Sequence, residues 1–244
     1  MKPVQAPATI IPDADAVDFS MLDEDDLVNL VLQRSETVRD RAAIRAWTEG
    51  DEAPLRARVR QERDAILASA FTRLGEVFAT ITPALDRLKP ARLADIGAGY
   101  GFIDLLLFRR YGSDVILIDI EESENRHFGF AAEGAGYSSL AKARDFLVAN
   151  GVPEARIRTL NPRHEDPGEV GEVDLAMSLI SCGFHYPAST YDAFFANNVA
   201  PMGGILLDIR KGSGGIPYLK KFGRTTVLAQ EGKAARVYTQ KTVV

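Results

Sequence analysis

Seven residues, Asp95-Ile96-Gly97-Ala98-Gly99-Tyr100-Gly101, constrain this chain more than any other stretch. They follow the short apolar run at residues 92–96 and lead into residues 102–111, a largely apolar stretch of helical length stopped by Gly112. A strand that passes through alternate glycines into a helix brings its backbone close to whatever lies above it. Glycine has no Cβ and tolerates positive φ, and the unpaired N–H groups of the helix's first turn point the same way.

The rest of the chain divides around this turn. Residues 1–20 are rich in proline and alanine and read as extended or disordered. Asp23 to Asp26 opens a helix, because acidic side chains face the positive end of the dipole there, and Leu27, Leu30 and Val31 give it an apolar stripe. Further helices are expected at residues 38–47 and about 54–80. Thr82-Pro83 reads as an N-cap and a first-turn proline starting a short new helix toward Pro90. Residues 1–90 thus form an all-helical N-terminal region, and residues 91–244 a second unit.

After Pro90, strands and helices alternate. Strands are expected at residues 92–96, 115–120, 157–160, 173–180 and 204–209, and helices at 102–111, 138–150 and 189–199. Such a succession predicts a parallel sheet with right-handed crossovers. Residues 225–229 and 235–239, joined by Glu231-Gly232-Lys233, read instead as an antiparallel hairpin. The expected fold class is α/β: a Rossmann-like, mostly parallel seven-stranded sheet with a C-terminal antiparallel hairpin, preceded by helices.

A glycine turn alone suits NAD, FAD or S-adenosylmethionine, and spacing separates them. The dinucleotide fingerprint is G-x-G-x-x-G, a frame that puts Phe102 at the third glycine. The pattern present, D-x-G-x-G-x-G, resembles motif I of class I S-adenosylmethionine-dependent methyltransferases. Asp119, 24 positions after Asp95, falls where that family has the acid that holds the ribose hydroxyls, a role suited to a carboxylate accepting charge-assisted bonds. With the strand order and the closing hairpin, the resemblance covers about residues 90–244. It implies S-adenosylmethionine as cofactor, held by Asp95, Gly97, Ala98, Gly99, Gly101, Asp119, Ile120 and Ser181.

Residues 181–187 follow the fourth strand, a junction that lies near the transferred methyl in that family. His185, with a near-neutral intrinsic pKa, is the first candidate for the general base, and capping the next helix is its structural alternative. Phe184 and Tyr186 are candidate substrate contacts. Cys182 reads as a small buried residue. The connection at residues 121–137 is long for a compact domain, and such loops are usually functional. It offers His127 as a second base and Phe128 and Tyr137 as substrate contacts on a flap. The stretches HFGF, GAGYSSL and GFHYPASTY are similar to sugar O-methyltransferases, which favours a sugar hydroxyl as acceptor. An N-methyltransferase acting on a small amine and a non-catalytic cofactor-binding scaffold are the rival functions.

Asn161-Pro162 stands where an acid is usual after the third strand, so the adenine contact stays open, and His164 and Asp166 read equally as loop residues. Asp208 and Lys211 suit either substrate contact or surface ion pairing. The N-terminal helices, with Trp47 and Phe78, suit an active-site cover, a homodimer face or plain core packing, the last being simplest.

Composition narrows the partners. A net charge of −5 disfavours phosphate-driven nucleic-acid binding. The arginines at 56, 58, 60 and 63 are interrupted by Glu62 and Asp64, as on a solvated helix face. A small-molecule or carbohydrate substrate is expected. One cysteine and no paired-histidine motif give no metal-ligand spacing. The longest apolar runs fall short of the roughly 20 residues of a membrane span, and residues 1–11 lack an apolar leader core. No membrane segment and a cytoplasmic location are therefore expected.

Overall fold

The computed structural model describes residues 13–38, 40–121 and 139–242. Four helices precede the sheet: α1 (Glu24–Gln33), α2 (Arg41–Thr48), α3 (Ala53–Gln61) and α4 (Arg63–Leu88). A reciprocal capping box starts α1, with Asp23 and Asp26 each accepting from the other's backbone N–H.

The stretch expected as one helix at residues 54–80 is two, broken at Glu62. The arginines of α3 pair with acids while staying partly exposed to solvent. Arg56 meets Glu24, Asp25 and Glu52, Arg58 meets Asp40 and Glu62, and Arg60 meets Glu24.

The expected new helix at Thr82-Pro83 does not form. The 26-residue α4 runs straight through Pro83. Thr82 is not a cap: its hydroxyl bonds back to the Phe78 carbonyl at 2.6 Å, the in-helix alternative open to threonine. Ile81, Ala84 and Leu85 are buried around the proline, and their packing outweighs the lost backbone bond. By length and composition α4 is also apolar enough to cross a membrane, unlike any run picked out in the sequence, and 56% of its most apolar window is buried within the protein.

Residues 13–20 are ordered and packed, contrary to the extended reading. Asn150 both donates to the Asp18 carbonyl and accepts from its amide. Phe19 stacks on Phe146 and meets Phe71 and Phe102 edge-on at centroid distances of 5.4–5.9 Å. This aromatic knot joins the N-terminal segment, α4, and the helices α5 (Phe102–Tyr111) and α6 (Leu140–Ala149).

The strands are β1 (Arg92–Ile96), β2 (Asp114–Ile118), β3 (Ile157–Leu160), β4 (Val173–Ser178), β5 (Val199–Arg210), β6 (Gly223–Glu231) and β7 (Ala234–Lys241). Their order is β3-β2-β1-β4-β5-β7-β6. The β3, β2, β1, β4 and β5 ladders are parallel, and β7 inserts antiparallel between β5 and β6. The seven-stranded sheet and its closing hairpin match the sequence expectation. β5 starts earlier than expected, because residues 188–199 give only a 3-10 turn and the short α7 (Asp192–Asn197). A further short helix, α8 (Gly215–Leu219), has no counterpart in the expectation.

One apolar cluster, with Phe71, Phe146, Leu93 and Leu117, fills the space between the sheet and the N-terminal helices, α5 and α6. A second, with Ile96, Ile118, Phe195 and Leu207, lies on the other face. Phe78 is buried in the first, and Trp47 packs against it, in line with core packing. Strand order switches from leftward to rightward progression between the parallel neighbours β1 and β4, the place where open α/β sheets bind ligands beyond their strand ends.

Candidate active site

The turn after β1 is built from three left-handed glycines, Gly97, Gly99 and Gly101, at φ +80°, +59° and +72°. Gly97 faces Ser181 so closely that a Cβ would lie 2.1 Å from the serine Oγ. Its amide donates to the Ile118 carbonyl at 2.7 Å. Gly101 is the N-cap of α5 and supplies no side-chain cap, so the first-turn amides keep their capacity for an outside acceptor. The Asp119 carboxylate, just beyond β2, accepts from Gly99 N at 2.9 Å and from Ile120 N at 2.8 Å. Turn and acid therefore form one hydrogen-bonded unit.

Tyr100 points away from that unit into the protein and donates to Asp26 Oδ1 at 3.1 Å, with Lys142 of α6 bridging to Asp23 and Asp26. Gln33, at the end of α1, lies above Gly99, where a Cβ would be 3.3 Å from its Oε1. The N-terminal region thus covers the glycine turn.

Beneath the turn lie two buried carboxyls, Asp95 at the end of β1 and Asp104 in the first turn of α5. Asp95 Oδ1 and both Asp104 oxygens meet no donor side chain among the described residues. A proton shared between them would satisfy the pair. Burial raises both pKa values, and for Asp95 the charge of Asp104 and then that of Asp119 push the same way while Arg34 opposes.

The junction after β4 is strained and braced. Ile180 sits at φ +54°, a region costing a β-branched residue on the order of 1–3 kcal/mol. The Ser178 hydroxyl donates to the Ile96 carbonyl at 2.5 Å and accepts from Cys182 N at 2.8 Å, tying this junction to β1. His185 N donates to the Ser181 carbonyl at 2.8 Å. Arg210 clamps Phe184 from below, its Nε on the phenylalanine carbonyl at 2.8 Å and its guanidinium 4.5 Å from the ring centroid. The imidazole of His185 meets that ring edge-on at 5.1 Å. Cys182 is fully buried, and burial pushes its thiol well above the ordinary range, which matches its reading as a packing residue.

Two cavities meet at this junction. The first, about 790 Å³, runs from Asp95 and the glycine turn past Phe184 and His185 to Asp208 and Arg236. Its far wall comes from α1 and α4 through Leu30, Gln33, Arg34, Arg73, Val77 and Thr80. The second, about 490 Å³, is lined by Ile120, Pro162, Arg163, Asp166, Tyr186 and Tyr191 among others. Gly97, Asp119 and Ser181 line both.

The structure thus brings Asp95, Gly97, Ala98, Gly99, Asp119, Ile120, Ser181, Phe184 and His185 together, with Gly101 capping the helix beneath. Tyr186 turns from Phe184 and His185 into the second cavity, accepting from the Ser181 hydroxyl at 3.3 Å. His127, Phe128 and Tyr137 lie outside the described residues. Asp208 is not on the surface: it is 0% exposed and paired with Arg236. Lys211 is exposed and lines neither cavity. Sequence reasoning missed the α1 and α4 residues and Tyr191. Nothing in their local pattern sets them apart from ordinary amphipathic helix positions.

Among solved structures, the chain matches a protein from Nostoc punctiforme PCC 73102 provisionally described as an O-methyltransferase, at 13% identity over 72% of this chain and 59% of that one, with a TM-score of 0.50. This chain has the class I methyltransferase fold. It spans about three fifths of the Nostoc protein. A precorrin-6y C5,15-methyltransferase from Geobacter metallireducens GS-15 matches at 14% identity over 69% of this chain and 89% of that one, TM-score 0.49. The T. thermophilus 16S rRNA N2 G1207 methyltransferase matches at 19% identity over 67% and 42%, TM-score 0.46. No family model and no curated protein matches the sequence.

Proposed function

We propose that this chain is an S-adenosylmethionine-dependent methyltransferase acting on a hydroxyl of a small molecule, with a sugar or sugar-bearing metabolite as the favoured acceptor class. The observation that carries this reading is the meeting of Gly99 and Asp119 at the ridge between two cavities, beside an uncapped helix N-terminus. The residues fit such a cofactor. Asp119 lines both cavities, and its carboxylate is the kind of acceptor that ribose hydroxyls require. The second cavity, with Pro162, Arg163 and Tyr186, suits a planar base, which favours the loop after β3 for the adenine side. The glycine turn and Asp95 suit the amino-acid arm, and the remainder of the first cavity the acceptor.

When bound, the cofactor supplies an electrophilic methyl on a sulfonium. The protein's part is to hold the acceptor oxygen in line, exclude water and take a proton. His185 lines the acceptor cavity and is the candidate to take that proton. Its backbone is fixed by Ser181 and its ring by Phe184, so it is presented in one place. The first cavity, near 790 Å³ and shared with the cofactor's amino-acid arm, leaves space suited to a small acceptor.

Isothermal titration tests the cofactor assignment. S-adenosylhomocysteine is expected to bind with one-to-one stoichiometry and NADH not to bind, and Asp119→Ala to weaken the former by about 100-fold, or roughly 2.7 kcal/mol. Binding of NADH in place of S-adenosylhomocysteine would overturn it. Once a methyl acceptor is in hand, His185→Gln is expected to lower kcat about 100-fold or more at unchanged cofactor affinity; full turnover by that variant removes the histidine from the chemistry.

A further inference from the structure

We propose that Arg236, set in place by Asp208 and Thr80, is an acceptor-binding residue that selects a neutral, hydroxyl-rich molecule over an anionic one. The proposal deepens the methyltransferase reading and rests on it for the word acceptor.

Asp208 on β5 and Arg236 on β7 are direct partners in the antiparallel ladder. The guanidinium gives Nε to Oδ1 at 2.9 Å and Nη2 to Oδ2 at 2.8 Å, a bidentate fork. From α4, the Thr80 hydroxyl accepts from Nη1 at 3.1 Å and spends its own proton on the Val77 carbonyl. All three side chains lie at the end of the first cavity away from the glycine turn. A guanidinium carries five N–H groups. Three are used by these partners, so two remain unspent among the described residues. Arg236 is buried to 9% exposure, and the cavity is where those two donors can find oxygen.

The fold does not need this pair. Its strand neighbours Ile205, Leu206, Leu207, Ile209, Ala235 and Val237 are apolar and buried, and a buried ion pair can usually be exchanged for apolar residues without loss of stability. An ion pair kept among apolar strand neighbours where it lines a cavity therefore points to a ligand. The sign of the ligand follows from the charge balance. Asp208 is wholly buried behind Arg236, so the pair presents donors with no net positive charge. Arg73, on the same wall, is spent on Glu76 and Glu231. Lys233 at the mouth is exposed, and water screens it. Oxygens of hydroxyl or ether groups match such donors. A carboxylate or phosphate would enter beside Asp208, Glu76 and Glu231, while the remaining arginine of this wall among the described residues, Arg34, acts on Asp95 at the glycine-turn end.

The test uses saturation-transfer NMR on the full chain with S-adenosylhomocysteine present. The probes are methyl α-D-glucopyranoside and myo-inositol as neutral polyols and D-glucuronate as the anion. Wild type is expected to bind at least one neutral probe and to bind glucuronate at least tenfold more weakly. Asp208→Leu combined with Arg236→Met, which removes both charges together, is expected to lose at least tenfold in neutral-probe affinity while the S-adenosylhomocysteine Kd stays within twofold and Tm does not fall. Arg236→Lys, which keeps the charge but not the fork, is expected to lose most of the neutral-probe affinity as well. The proposal is overturned if neither polyol binds wild type, if glucuronate binds best, or if either variant keeps wild-type polyol affinity. Failure of S-adenosylhomocysteine to bind wild type is a separate result, which removes the cofactor reading; the polyol titrations repeated without it still judge the subsite.

Discussion

Gly97→Ala is expected to weaken S-adenosylmethionine binding at least 100-fold, about 2.7 kcal/mol, and to lower Tm measurably. Two costs combine. The backbone at Gly97 sits at φ +80°, where an alanine is strained by about 1–2 kcal/mol. The added methyl would also lie 2.1 Å from Ser181 Oγ and 2.4 Å from its Cβ. Ser181 has little freedom to retreat, because its carbonyl holds the amides of Phe184 and His185 and its hydroxyl meets Tyr186. Strain and collision can be separated by a double-mutant cycle. Ser181→Gly removes both colliding atoms, so the Gly97→Ala/Ser181→Gly protein is expected to recover part of the lost affinity and not the whole. An unchanged affinity in Gly97→Ala would mean that the turn is only a tight connection.

Asp104→Asn is expected to flatten the pH dependence of folding. Asp104 and Asp95 face each other out of water, and burial pushes Asp104 up to about 7, with Asp95 raised as well. A raised acid binds its proton more tightly folded than unfolded, so the folded state carries more protons between about pH 4 and 7 and stability falls as pH rises through that window. An asparagine at 104 supplies the bridging N–H permanently, whatever the pH. The variant is expected to be more stable than wild type at pH 8.5 by on the order of 1–3 kcal/mol, with the difference shrinking toward pH 5. Urea unfolding of both proteins at several pH values checks this. Parallel stability curves would mean that the two carboxyls do not share a proton.

The fold was legible where sequence carries a local signal. The strand spacing, the glycine turn and the Glu231-Gly232-Lys233 hairpin each follow from short-range chemistry, and all appear. The candidate site was legible where glycine spacing or a strand end marks it, as with Asp119 and Ser181, which line both cavities. It was illegible where long-range packing decides. Thr82-Pro83 carries a strong local start signal, but burial of Ile81 and Leu85 carried α4 across it. Phe19 sits in a proline-rich segment and is ordered only because Phe71, Phe102 and Phe146 converge on it. Asp208 and Arg236 are 28 residues apart, and only the antiparallel register makes them partners. Thr80 and Gln33 reach the cavity from helices that belong to no recognisable ligand motif.

The Tyr100–Asp26 contact gives the chain a further property. Tyr100 stands between two glycines that would touch the cofactor, and its hydroxyl is anchored on α1, whose Gln33 closes over the same turn. A ligand that steadies Tyr100 therefore steadies α1 and the residues before it, and the free energy of binding is added to the docking of that segment. Cleavage within α1 under limited proteolysis is therefore expected to be slower in the ligand-loaded protein than in the free one.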